Sequence, residues 1–139
     1  MTNILEFLTA DKNMSTMLRA VRSAGMDTDF EKEGAFTLFA PGELAFNKLG
    51  NKAIAELLRP ENTFKLAGII KDHLVLGKKR ISDLRDGQIL KTVSGKELKV
   101  TINQFGRVMI NGATVQSRDG TASNGFVHSI EMLLQVPAL

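Results

Sequence analysis

The stretch FTLFAPGELAF, residues 36–46, constrains the fold more than any other part of the chain. Phe36 to Ala40 is an extended apolar run. Pro41 follows, with no amide hydrogen to give a ladder and a fixed φ that suits the first turn of a helix. The strand must end there. From Pro41 onward Leu44, Ala45, Phe46 and Leu49 recur at helical spacing, so the pattern predicts a strand that turns directly into a short helix.

Helical signals surround this corner. Met14, Met17, Leu18 and Val21 share one face, with Asp11 or Asn13 available as N-cap and Gly25 as the stop. Ala53 to Leu58 predicts a brief helix ending before Pro60. A longer one is expected from Glu61 to Leu76, closed by Gly77; Phe64, Ala67, Ile70 and Leu74 mark one face, Leu66, Ile69, His73 and Leu76 the next.

The period then changes. Leu98, Val100 and Ile102 alternate with Lys99 and Thr101, as in a half-buried strand, and Gln104-Phe105-Gly106 turns the chain back into Val108-Met109-Ile110. Asn111-Gly112 is a strong hairpin signal, because a type I′ turn needs positive φ at both positions. Ala113 to Gln116 reads as the return strand, 117–125 as a polar loop, and Phe126 to Val136 as a last apolar run closed by Pro137. Helices first and antiparallel strands later imply an α+β domain.

With 139 residues, the chain is expected to form one domain over 1–139. No apolar run approaches the roughly eighteen residues that span a bilayer. The start, MTNILEFLTADKN, lacks a basic segment and is interrupted by Glu6 and Asp11, so it does not read as a secretory signal; localisation stays open. The absence of cysteine excludes disulfides, thiolate metal sites and a cysteine nucleophile. Charge is uneven: five basic and seven acidic residues lie up to residue 50, thirteen and eight beyond it. That asymmetry favours acidic partners at the C-terminal half, where Lys78-Lys79-Arg80 is the one basic cluster.

FTLFAPGELAFNKL and NGFVHSIEMLLQVP together resemble the two signature segments of the fasciclin domain family, roughly TLFAPTNEAFxxL and NGVIHVIDxVLxP. Between them, His73-Leu74-Val75-Leu76-Gly77 is similar to that family's tyrosine–histidine segment. The departures are Gly42 for threonine, Glu43 for asparagine or aspartate, Leu44 for glutamate, Asp72 for tyrosine and Glu131 for aspartate. The resemblance implies a fasciclin-like α+β fold, with a helical N-terminal half packed on a twisted antiparallel β wedge. It marks Thr37, Phe39, Pro41, Phe46, Asn124, Gly125 and His128 as structural signature positions. It also implies a non-enzymatic module for cell adhesion or matrix attachment, with a protein or acidic glycan as partner. Integrin contacts attributed to animal members fall near the last two segments, where Asp72 and Glu131 depart from the pattern and weaken the transfer.

The candidate partner surface is therefore His73, Leu74, Val75, Lys78, Lys79, Arg80 and Glu131. A monomer without cofactor or metal is expected: His73 and His128 are the only histidines, and neither H-x-x-x-H nor H-x-E spacing occurs. Two rival readings stay open. Met14 and Met17 could line an adaptable gap between helices and wedge for a small apolar ligand, against plain core packing. His128, between Phe126 and Ile130 on one strand face, could act as a general base, against a buried structural role. Arg118-Asp119-Gly120 is turn chemistry rather than the integrin tripeptide, and Asn13-Met14-Ser15 fits a glycosylation sequon but also a helix cap.

Overall fold

The computed structural model describes residues 3–32 and 34–134, with the side chains of 117–119 outside that description. Helix α1, Ile4–Ala10, opens on a capping box in which Asn3 accepts from the Glu6 amide and Glu6 returns to the Asn3 amide. Asp11 caps the 3-10 turn Lys12–Met14, which leads into α2, Ser15–Ser23. Gly25, at φ +70°, ends α2 in the left-handed region, as its position in the sequence predicts. Helix α3, Asp27–Glu31, precedes β1, Phe36–Pro41.

The opening corner is present, with one correction. Pro41 is the last residue of β1 rather than part of a helical turn, and α4, Glu43–Leu49, starts after Gly42. Pro41 tolerates this because its ladder partner on that side is the parallel strand β7, and a strand end needs no further donor. Helix α5, Asn51–Leu57, follows.

The long helix is shorter than its periodicity suggests. After the 3-10 turn Pro60–Asn62, α6 runs Thr63–Lys71, and Leu74–Leu76 forms strand β2. Leu66, Ile69 and Ile70 are the buried side of α6, whereas Phe64 points outward and is 93% exposed. Three apolar residues after a helix continue its period whether or not the chain stays helical, so β2 is invisible to spacing alone.

Strands β3 (Ile89–Lys91), β4 (Glu97–Ile102), β5 (Val108–Ile110), β6 (Ala113–Ala122) and β7 (Gly125–Ile130) follow among the described residues. Leu98 and Val100 are buried and Lys99 exposed, as alternation predicts. Asn111 and Gly112 have φ +48° and +84°, the type I′ pair between β5 and β6. The segment read as a polar loop is instead mostly strand: β6 continues through it to Ala122, with register shifts between Val115 and Gly120. The segment's arginine and aspartate side chains, and the closing Val136 and Pro137, lie outside the described residues.

All seven strands join one sheet in the order β2-β1-β7-β6-β5-β4-β3. The expected wedge is antiparallel except between its second and third strands, where β1 and β7 pair in parallel, Phe36 opposite Gly125 through Pro41 opposite Ile130. The sheet also curls until its two outermost strands meet. Val75 bridges Thr92, and the Val93 amide donates to the Leu74 carbonyl at 2.8 Å.

Alternation on β1 serves two cores. Leu38 and Ala40 pack with Ile4, Leu8, Met17, Val21 and Phe46 under the helices. Phe39 points the other way and packs with Leu98, Val100, Ile110 and Ile130 inside the curl. Met14 and Met17 are 1% and 2% exposed, which assigns the methionine stripe to the first core.

Candidate functional site

Asn124 sits in the turn before β7 and is buried. Its Oδ1 accepts from the Ile4 amide, and its Nδ2 donates to the carbonyls of Phe30 and Lys32, each at 2.9 Å. One side chain thus ties α1 and the end of α3 to the sheet. Beside it, a Cβ on Gly125 would lie 1.9 Å from the Phe36 carbonyl oxygen, so only glycine lets the parallel pair close.

The segment after β2 crosses the starts of β1 and β7 as a strap, residues 77–80. Thr37 is fully buried beneath it, donating to the Gly77 carbonyl at 2.6 Å and accepting from the Lys79 amide at 2.8 Å. His128 Nε2 donates to the Lys79 carbonyl at 2.7 Å. Strand register places Phe39 beside His128, with ring centroids 5.6 Å apart. Phe126 stacks on His128 at 6.3 Å, and the Arg80 guanidinium lies 5.3 Å from the Phe126 ring centre. Lys78 Nζ reaches the Ser123 carbonyl at 3.3 Å. The signature residues Thr37, Phe39 and His128 are therefore the footing of a cationic loop.

His128 is 0% exposed, wedged between Phe39, Phe126 and the strap. A general base needs a substrate proton within hydrogen-bond reach, and no solvent path leads to this ring. The geometry gives it a structural role.

His73 is equally enclosed. Nδ1 donates to the Ile69 carbonyl at 2.7 Å, which leaves Nε2 to accept from the Leu134 amide at 3.0 Å. Burial lowers its pKa from 6.5 to about 4, against the opposing pull of the Ile69 carbonyl and of Asp72. The imidazole is neutral and pins the segment after β7 to the end of α6. Its neighbour Asp72 is buried too, accepting from Ser94 Oγ and, at 3.3 Å, from Lys96 Nζ on the β3–β4 turn. The residue that replaces the family's tyrosine is thus a cross-link between α6 and the sheet.

Of the seven candidate partner residues, the structure brings forward only part. Lys78 and Arg80 are exposed on the strap and Lys79 half-buried, whereas His73, Leu74 and Val75 are buried and beyond the reach of a partner. The exposed apolar residue at the head of the strap is Leu76, 64% accessible, which helical spacing groups with Leu66, Ile69 and His73, all three buried. Glu131 follows the far end of β7 and approaches Lys48 of α4 at 3.9 Å, apart from the strap. Phe64 and Phe105 are further exposed apolar side chains, and no periodicity marks them as such.

Between the helices lies a cavity of about 20 Å³ lined by Met17, Phe46, Leu66, Ile70, His73 and Leu133 among others. That is room for one water-sized sphere, too little for a lipid or cofactor fragment. The methionines fill the gap that the ligand-binding reading required. Among the described residues no group of three potential metal ligands converges.

An α+β arrangement with one mixed sheet curled under a helical layer, closed by a parallel pair of first and last strands, defines the fold class. Its sequence matches the fasciclin domain model over residues 12–137, and the chain belongs to that family. It is 35% identical over 134 residues to protein sll1483 of Synechocystis sp. (strain ATCC 27184 / PCC 6803 / Kazusa), covering 96% of this chain and 73% of that one. Transforming growth factor-beta-induced protein ig-h3 of Sus scrofa is 32% identical, but the chain covers only 20% of its length. The structure also superimposes on one half of a FAS1 domain pair from the insect cell adhesion molecule fasciclin I, with a TM-score of 0.85 at 21% identity. The match covers 97% of this chain and 51% of the other.

Proposed function

We propose that the chain is a non-enzymatic docking module that holds an acidic partner, protein or glycan, against the strap of residues 77–80. The observation that supports this most is the footing itself: three consecutive cations are displayed on a loop whose backbone is fixed from beneath by Thr37 and His128. A surface ordered before binding loses little conformational entropy on association. Among the described residues none of the three cations is in an ion pair. The structural relative's role as a cell adhesion molecule supports placing such docking at a cell surface.

The test is binding of soluble polyanions to immobilised protein at low salt, with Lys78→Glu, Lys79→Glu and Arg80→Glu combined. Loss of binding with an unchanged melting temperature is the expected outcome. Equal binding by the triple variant would remove the strap from consideration.

A further inference from the structure

Resting on that reading, we infer that the strap recognises carboxylate side chains of an acidic protein segment, through the Arg80 guanidinium laid on Phe126, with Leu76 supplying an apolar contact. The guanidinium lies over one face of the ring, 5.3 Å from its centre, and is in no ion pair among the described residues. Its N–H edges are thus available to a planar, two-oxygen acceptor in the bidentate geometry that arginine and carboxylate share. Phe126 stacks on His128 at an interplanar angle of 11°, and His128 is anchored on the strap's own backbone through the Lys79 carbonyl.

Two features favour a polypeptide over a glycan. Phe126, the half-buried ring beneath Arg80, is already engaged by Arg80 and His128, so that face is not offered to a sugar ring. Leu76, 64% exposed and directly ahead of Gly77, instead suits an apolar side chain next to the acidic one. Lys78, which reaches the Ser123 carbonyl, adds charge without the directional demand of a guanidinium.

The experiment compares three probes, poly-L-glutamate, polygalacturonate and dextran sulfate, on the wild-type chain and on Arg80→Lys and Leu76→Ser. Arg80→Lys keeps the charge but loses the fork and the stacking, so poly-L-glutamate binding should weaken about tenfold. A copolymer of glutamate and leucine should lose affinity in Leu76→Ser. Equal poly-L-glutamate binding by wild type and Arg80→Lys, or tighter binding of polygalacturonate than of poly-L-glutamate, would overturn the inference while leaving a basic docking strap in place. If the charge-reversed triple variant binds all three probes as the wild type does, the underlying reading falls with it.

Discussion

Asn13 and Glu43 cap each other's helices across 30 residues of sequence. Asn13 Oδ1 accepts from the Glu43 amide, the first of α4, at 3.3 Å. The Glu43 carboxylate in turn accepts from the Thr16 amide at 2.6 Å and from its hydroxyl at 3.1 Å, in the first turn of α2. Neither helix has a side-chain cap from its own N-cap residue. The exchange satisfies donors that the two helix starts leave open and places a carboxylate at the positive end of α2.

This explains the glycine in the corner. A Cβ at position 42 would lie 2.6 Å from Asn13 Nδ2, so the threonine of the family pattern and the Asn13 side chain compete for one space. In an Asn13→Ala background, Gly42→Thr should raise stability by roughly a few tenths of a kcal/mol, the usual difference between a hydroxyl cap and a glycine at that position. In the otherwise unchanged protein one cap displaces the other and the gain should vanish. Urea unfolding of the four proteins measures the difference; equal gains in both backgrounds would contradict the competition.

The acid limb of stability should carry the signature of His73. Its folded pKa of about 4 lies below the ordinary 6.5, so the unfolded chain takes up the proton first as pH falls. The contribution is complete above pH 6.5 and is lost as pH drops towards 4, amounting to a loss on the order of 3 kcal/mol. A protonated Nε2 would also face the Leu134 amide, donor against donor. His73→Gln should flatten this limb in unfolding curves at pH 7 and pH 4.5. An undiminished slope would assign it to other groups.

Asn124→Ala should cost about 3 kcal/mol or more, because it strands the Ile4 amide and two carbonyls. Amide exchange should accelerate along α1 before the sheet opens. Gly125→Ala strikes the Phe36 carbonyl rather than a movable side chain, so refolding yield is the measurement. A soluble, cooperatively melting Gly125→Ala protein would show that the parallel pair can part at little cost.

Local rules made some of this legible and not the rest. The strand–proline–glycine corner, the Asn111-Gly112 turn and the alternation of Leu98 and Val100 each depend on neighbours in sequence, and each is where the pattern puts it. The β1–β7 pair joins residues about 90 apart, and nothing in either strand's composition distinguishes a parallel from an antiparallel partner. Phe64 shows the converse: helical spacing groups it with Ile70, but α6 turns Leu66, Ile69 and Ile70 to the core and leaves Phe64 exposed. The candidate site was half visible. The Lys78-Lys79-Arg80 run can be read directly, whereas the burial of His73, Leu74 and Val75 follows from β2 and the segment after β7, both tertiary facts.

The way the strap is fastened bears on how variants of this protein should be interpreted. Its outward cations hang from two side chains, Thr37 and His128, that are wholly enclosed. An alanine scan scored by lost attachment would rank these two positions with the true points of touch, although no visitor reaches them. Only a scan that records melting behaviour beside attachment can separate the hook from the wall it is screwed into.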